Sequence, residues 1–559
     1  MLLAKQQTQP PGCLLGQAAL ADLILATVVG IAAFAVLGKD VARGGLLDAD
    51  SAAHAMDGVL IHDWFMAGPH AWASPMQFAE RQYGHYPTLG IGKHYPPGFA
   101  IAEAAFFAVF GVSASSARLC VAFFGVLAAV GAFVFVRGVS DRVTAALAAL
   151  LMVAIPATTH WGRQIMLEIP ALAVLVWSAV AFSWYLRERT WRRFAVAAGA
   201  ALLAIFFKQN AVFLICALAM ALAWSAIHGR GKWSHALCAI VLCTVSLGVL
   251  FLALDDACLK TVSGYDTFAD RWGWQAMTFY LRTLPEQTGT IVPLVAALGA
   301  LLSLRRMGDH WWLLCAWLLA SYVMVSVTGL KTPRFFYLGV FPLLVWAAQC
   351  AGLCVKLIPH ARLRTASAFV VAAYIVWAGF ARPVPDGPDF GSAVAANRER
   401  IEGRVVLFSG LRDGDFVFSV RERIPWQKTV IVRGSKLFYT CTAGPDLDLV
   451  PYVSSPDEVA RVMERFAFES VFIERDNRVG TAQDDWLRQY LAESGDYARV
   501  GSFVVQPATN RCGSDVLVDV YSLTRPWQRQ VDHFDIPVPR TNRTIRVDLR
   551  RGAVSERPS

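Results

Sequence analysis

Long apolar runs recur along the first 380 positions, parted by short polar connections, and after Arg382 they give way to apolar stretches only four to eight residues long. Crossing the hydrocarbon of a bilayer takes about 20 apolar residues in a helix, because only an internally hydrogen-bonded backbone survives there. On that criterion spans are expected near 17–37, 118–137, 142–159, 165–186, 192–207, 210–227, 235–254, 287–304, 311–329, 335–354 and 366–381. The run Gly98–Val112 is shorter, carries Glu103 and follows Pro96-Pro97, so it reads as an interfacial or re-entrant helix. The fold class is therefore a polytopic α-helical membrane protein with about 11 to 13 transmembrane helices, joined to a C-terminal α/β domain.

In that second region RVVLFSG, FVFSV, KTVIVRG, SVFIER, RVGSFVV and VLVDVYSL read as strands, while SSPDEVARVMERFA and TAQDDWLRQYLAES have helical spacing behind Ser and Thr openings. The division is thus 1–383 for the membrane module, with a large loop at 38–117, then 384–538 for the α/β domain. Residues 539–559, rich in Arg and Pro, read as a disordered tail. Cys441 and Cys512 are the domain's cysteines and are able to pair in an oxidising compartment. Cys120, Cys216, Cys238, Cys243, Cys315, Cys350 and Cys354 lie in apolar segments and behave as small hydrophobes.

Charge orients the module. The chain is 56% hydrophobic and 17% charged with a net +9, yet no basic run interleaved with aromatics is present, which argues against a nucleic-acid partner. Instead Arg137, Arg142, Arg187, Arg189, Arg192, Arg193, Arg230, Lys232, Arg305, Arg306, Lys356, Arg362 and Arg364 fall in connections on one side if the 98–112 run lies flat. The positive-inside rule makes that side cytoplasmic, together with the N-terminus. The 38–117 loop and the C-terminal domain are then expected outside, in the periplasm of a bacterial inner membrane. No cleavage pattern follows the first apolar run, which is long enough to stay as a span.

The outer loop concentrates acids and histidines in Leu46–Gly58, LLDADSAAHAMDG, with Asp48, Asp50, His54 and Asp57, and adds His85 and His94 further on. Glu168 stands two residues before Pro170, where an acid suits the first turn of a helix or a site. Four cations run against the charge pattern in outer connections: Arg163, Lys208, Lys331 and Arg334. Each could snorkel to lipid headgroups, but four on one surface beside acids also suit an anionic group such as a lipid phosphate. Asp48 and Asp50 form Asp-x-Asp, a spacing able to hold Mg or Mn, although a single phosphate neutralised by Lys and Arg requires no metal.

DADSAAHAM, HYPPGFAIAEAAFFAVFG with Arg118 behind it, RQIMLEIPAL, FFKQN and KTPRFFYLGVFPLL occur in this order. Together they resemble the GT-C glycosyltransferases, in particular the relatives of protein O-mannosyltransferases and lipid A aminoarabinose transferases, over roughly residues 15–350. The resemblance implies catalysis by a first-loop acid, matched by Asp50, with Ser51-Ala52 where Glu-Ala is common and Asp48 as a rival. It matches Glu168 to the second-loop acid and Lys208 and Arg334 to cations facing a lipid phosphate, with Tyr337 nearby. What it implies is transfer of one sugar, with inversion, from a polyprenyl-phosphate donor to a glycan, lipid or protein acceptor. Asp50 would be the general base, with Arg163, Lys331, His54 and His94 as further substrate contacts and no cofactor required. A transporter or flippase of a lipid-linked sugar is the alternative; it would keep polar groups at mid-membrane on broken, repeated helices.

Overall fold

The computed structural model describes residues 11–43, 45–47, 49–86, 95–253, 266–384, 387–441, 449–476, 479–505, 516–525, 530–538 and 543–549. The protein is a multi-pass membrane protein. Among the described residues six helices are long and apolar enough to cross a bilayer, and eight if each of two bent pairs is one span. The six include Ala114–Arg137, Glu168–Glu188 and Ala361–Ala381; the bent pairs are Trp274–Thr288 with Ile291–Met307, at 107°, and Pro333–Gly339 with Phe341–Lys356, at 57°.

Every expected span has a helix, but several are too short or too polar at one end to meet that test. The run expected at 142–159 is a helix only over Arg142–Ala154; Ile155 is extended, and a short helix restarts at Pro156. Pro156 is the cause, since the ring of a proline disfavours helical geometry at the residue before it. Trp191–Phe207 has 17 residues, and Asp309–Ser326 opens on Asp-His-Trp-Trp, which shortens its apolar stretch. The Gly98–Phe110 helix has 13 residues and rises about 20 Å, too little to span.

At least six of the thirteen cations counted along the sequence meet acids or carbonyls near one end of the bundle. Asp22 accepts from Arg137 Nε at 3.1 Å and Arg142 Nε at 2.6 Å. Asp141 pairs with Lys356 at 2.6 Å, and Asp309 with Arg189 at 2.6 Å and Arg230 at 3.2 Å. Arg187 Nη2 donates to Gly138 O at 3.4 Å and joins the two groups. Glu168 begins the Glu168–Glu188 helix whose other end carries Arg187, so about 30 Å separates it from this cationic end. Helix crossings inside the bundle are close. A Cβ on Gly299 would lie 1.9 Å from Trp346 O, so only glycine lets Ile291–Met307 lie on Phe341–Lys356.

The C-terminal domain is built on a five-stranded sheet. Its strands are β1 (Val405–Ser409), β2 (Val430–Arg433), β5 (Ser470–Glu474), β6 (Tyr497–Val505) and β7 (Val516–Leu523), in the order β2-β1-β5-β7-β6. β1 is parallel to β2 and β5, and β7 is antiparallel to β5 and β6. β3 (Tyr439–Cys441) pairs with β4 (Leu449–Pro451), and β8 (His533–Val538) with β9 (Arg543–Asp548).

Two expectations about this domain are corrected by the fold. FVFSV belongs to the Asp413–Arg423 helix, not to a strand. A parallel β1–β2 pair needs a crossover, and this segment has acids in its first turn and Arg421 and Arg423 in its last, matching the helix dipole. The tail expected to be disordered contains β9: Ile545, Val547 and Leu549 alternate with polar residues, and Val547 and Leu549 are fully buried. Composition concealed a period of two. Cys512 lies outside the described residues, so the pairing with Cys441 does too.

Candidate active site

Four short segments bring the polar residues together at the end of the bundle away from the cationic connections. Asp50 lies in the first turn of the Ala49–Met66 helix of the first loop, and His54 follows one turn later on the same face. Glu168 opens a spanning helix. Lys208 caps the Trp191–Phe207 helix in extended geometry, where a short 3-10 turn interrupts the chain before Phe213. Arg334 sits just behind Pro333, in the short helix ahead of the 57° bend between Gly339 and Phe341.

Two ion pairs cross between these segments. Arg334 Nη2 reaches Asp50 Oδ2 at 2.7 Å, and Lys208 Nζ reaches Glu168 Oε1 at 2.6 Å. The pairs differ in exposure. The side chain of Asp50 keeps 35% of its surface, whereas that of Glu168 keeps 2%. Among the described residues no hydrogen-bond partner meets Glu168 Oε2. A buried acceptor without a donor is costly, and so it is a place where a hydroxyl of a ligand would be held.

His54 lies between the pairs and feels all four charged groups. It is 3% exposed, edge-on to the ring of Tyr95 with centroids 4.8 Å apart, and close to Phe99. Burial pushes its imidazolium down to about 4, against the pull of Asp50 and Glu168 and with the help of Lys208 and Arg334, so it is neutral at pH 7. Tyr95 belongs to the same cluster and does not stand out in the sequence, although it is the second residue of HYPPG. Burial, then the Asp50 carboxylate, raises its phenol, and Arg334 and Glu168 also act on it. Its only signal is its place before Pro96-Pro97, which positions a ring without naming a chemistry.

The other two cations of this set do not join. Arg163 is 2% exposed and binds three backbone carbonyls: Val36 O at 2.9 Å, Arg382 O at 2.9 Å and Gly379 O at 2.8 Å. It staples the ends of two spanning helices, so the expected phosphate contact is corrected to a structural one. Lys331 likewise donates to Ser326 O, and to Val325 O at 3.4 Å, at the end of Asp309–Ser326. Tyr337 is fully buried and bonds Thr158 Oγ1 at 2.9 Å, a packing role. His85 bonds Thr429 O at 3.0 Å and meets Trp426 in the C-terminal domain, away from the cluster. Asp48 and His94 lie outside the described residues. Among those described no group of three or more His, Cys, Asp or Glu side chains is arranged to hold a metal, and the Asp48 half of the expected Asp-x-Asp pair is not among them.

A second pair of acids lies beneath the site. Glu103, on Gly98–Phe110, is fully buried against the Ala49–Met66 helix; a Cβ on Gly58 would sit 2.9 Å from its Oε2. Neither of its carboxyl oxygens has a hydrogen-bond partner among the described residues. Burial, and then the neighbouring Asp57, raises Glu103 well above the ordinary range, and burial raises Asp57 to about 7. Raised folded-state values favour the protonated fold, so this stability is complete below about pH 4 and is lost as pH climbs through 7. Partial exposure of Asp57 trims the effect to roughly 2–4 kcal/mol. The thermal midpoint in detergent is expected to fall between pH 5 and pH 8, and to flatten in an Asp57→Asn, Glu103→Gln double variant. Equal slopes in parent and variant would show that the pair does not carry it.

Residues 94–253 match the family model described as dolichyl-phosphate-mannose-protein mannosyltransferase, a segment that includes Glu168 and Lys208 but not Asp50 or Arg334. No curated protein matches the sequence. Among solved structures, ArnT from Cupriavidus metallidurans bound to undecaprenyl phosphate superposes with a TM-score of 0.55 at 13% identity, over 91% of this chain and 98% of that one. The same protein in the apo state gives 0.56 at 14% identity, over 90% and 98%. An oligosaccharyltransferase from Archaeoglobus fulgidus, in complex with Zn and sulfate, gives 0.52 at 14% identity, over 88% of this chain and 72% of that one. At these identities the likeness is one of fold. The chain thus shares an architecture with these proteins over most of its length, and within it residues 94–253 match the mannosyltransferase family model.

Proposed function

We propose that this protein is a glycosyltransferase that moves one sugar from a polyprenyl-phosphate donor to an acceptor at the periplasmic face of a bacterial inner membrane. The observation that carries the proposal is the pairing of two carboxylates from separate outer loops with Arg334 and Lys208, at the end of the bundle away from the cationic connections. ArnT has been solved with undecaprenyl phosphate, which agrees in kind with two cations at a membrane boundary.

In the proposed step an acceptor hydroxyl attacks the anomeric carbon as the bond from that carbon to the phosphate oxygen breaks. The electron pair leaves with the lipid phosphate and the proton passes to Asp50. A single displacement inverts the anomeric centre. Asp50 is the more exposed acid and so the one an acceptor can reach; Glu168, with an oxygen lacking a donor, holds a substrate hydroxyl. Negative charge grows on the phosphate as the bond breaks, so fixed cations favour the transition state over the ground state. Lys208 and Arg334 supply them. His54, neutral, and Tyr95 line the sugar's side. If a divalent cation takes part, Asp48 and Asp50 would be its first ligands.

The test is an assay in nanodiscs with a panel of undecaprenyl-phosphate hexoses and pentoses and a mixed envelope extract as acceptor. Transfer by the parent protein is expected, with the product anomer opposite to the donor's. Passage of labelled lipid across the bilayer without consumption of any donor would make the protein a transporter instead.

A further inference from the structure

The Asp413–Arg423 helix, the crossover between β1 and β2, lies along the first-loop helix Ala49–Met66 that carries Asp50 and His54. Contact is intimate: a Cβ on Gly414 would lie 3.2 Å from Ala52 Cβ. Ahead of this crossover helix, Arg412 Nη1 donates to Leu47 O at 2.9 Å, three residues before Asp50. Its own backbone N–H is tied to Glu474 Oε1 at 3.0 Å, at the end of β5. In the last turn Arg421 forks onto Asp63, with Nε 3.0 Å from Oδ2 and Nη2 on Oδ1.

Asp63 is 5% exposed and also accepts from Gln82 Nε2 at 2.7 Å. The linker is drawn in as well. Gly45, at φ 76°, lies so near Gly387 that a Cβ would be 1.9 Å from its carbonyl oxygen. From the membrane side Arg118, on Ala114–Arg137, donates to the carbonyls of Arg43 and Gly45. The peptide leading to Asp50 is thus held by the bundle at Arg43–Gly45 and by the domain at Leu47.

We infer that the C-terminal domain is the mount of the catalytic helix, and that Arg421, Asp63 and Arg412 are positioning residues that hold Asp50 against Arg334 and opposite Glu168. Arg421 meets the helix thirteen residues beyond Asp50, about 20 Å along its axis, so it acts through the helix and not on substrate. A bidentate fork fixes direction as well as distance. The inference rests on the proposed function for its catalytic part and on geometry alone for its mechanical part.

The experiment uses the full chain in nanodiscs with three changes: Arg421→Ala, Arg421→Lys, and the exchange Asp63→Arg with Arg421→Asp. Arg421→Ala is expected to lower kcat at least tenfold with KM for the active undecaprenyl-phosphate sugar changed less than twofold. Amide exchange over 49–66 should quicken tenfold or more while β1 and β5 stay protected. The charge exchange should restore part of kcat. Arg421→Lys keeps the charge but not the fork, so it leaves no buried acid unpaired; its kcat should fall at least threefold even if Arg421→Ala does not fold. Parental kcat in a folded Arg421→Lys or Arg421→Ala protein, or unchanged exchange over 49–66, would overturn the inference. A parent protein that transfers no sugar counts against the proposed function and removes the catalytic part, while the exchange measurement still decides the mechanical one.

Discussion

Asp50→Asn is expected to slow sugar transfer by roughly 10²- to 10⁴-fold, the usual worth of a positioned general base. Asparagine keeps a carbonyl oxygen for Arg334 Nη2, which now stands 2.7 Å from the carboxylate, so the local contact survives. What is lost is the ability to take the acceptor's proton as the bond forms. Donor KM should therefore change little while kcat collapses, the signature of an interaction made chiefly in the transition state. Asp50→Glu, which lengthens the side chain by one methylene, should retain some activity. Transfer by Asp50→Asn at more than a tenth of the parental rate would move the base elsewhere, with Asp48 first in line.

Removing Lys208 is expected to have the second large effect, and on stability as well as on rate. Glu168 is 1% exposed and Lys208 Nζ is its partner at 2.6 Å, so Lys208→Ala strands a carboxylate in an apolar surround. Breaking a buried pair from one side costs about 3–5 kcal/mol, much more than the net worth of the intact pair. The thermal midpoint in detergent should drop sharply. A Lys208→Met, Glu168→Gln double variant removes both charges and should regain most of that stability while transfer stays lost. If the double variant melts as low as Lys208→Ala, the loss comes from packing at the kink before Phe213 and not from the stranded charge. If it transfers at the parental rate, neither residue serves the reaction.

Much of the site is legible in the chain, and the failures have definite causes. Asp50 and Glu168 stand out because acids beside apolar runs are rare and expensive, and the structure sets each against a cation. By charge and placement alone Lys208 and Arg334 are indistinguishable from Arg163 and Lys331, since all four are cations at the ends of apolar runs; only the family resemblance sets the first two apart. Arg163 and Lys331 turn to the ends of helices, where unpaired carbonyls wait for donors. FVFSV misleads because five mostly apolar residues fit either a buried strand or a buried helix, and only the parallel pairing of β1 with β2 requires a crossover there. Glu103 offers a burial puzzle in sequence, but its pairing with Asp57 depends on how Gly98–Phe110 lies on Gly58.

The sequence by itself determined the membrane class, the places of the apolar helices and which end of the bundle carries the cationic connections. Those properties follow from side-chain transfer energies and formal charges, which belong to each residue wherever it goes. Only the tertiary structure decided which cation meets which carboxylate, that the first-loop helix rests on the C-terminal domain through Arg421 and Asp63, and that Tyr95 and His54 share the site. Hydrogen bonds and ion pairs act over about 3 Å and along set directions. Residues more than a hundred positions apart, such as Asp50 and Glu168, come within reach of one set of charges only after the chain has packed.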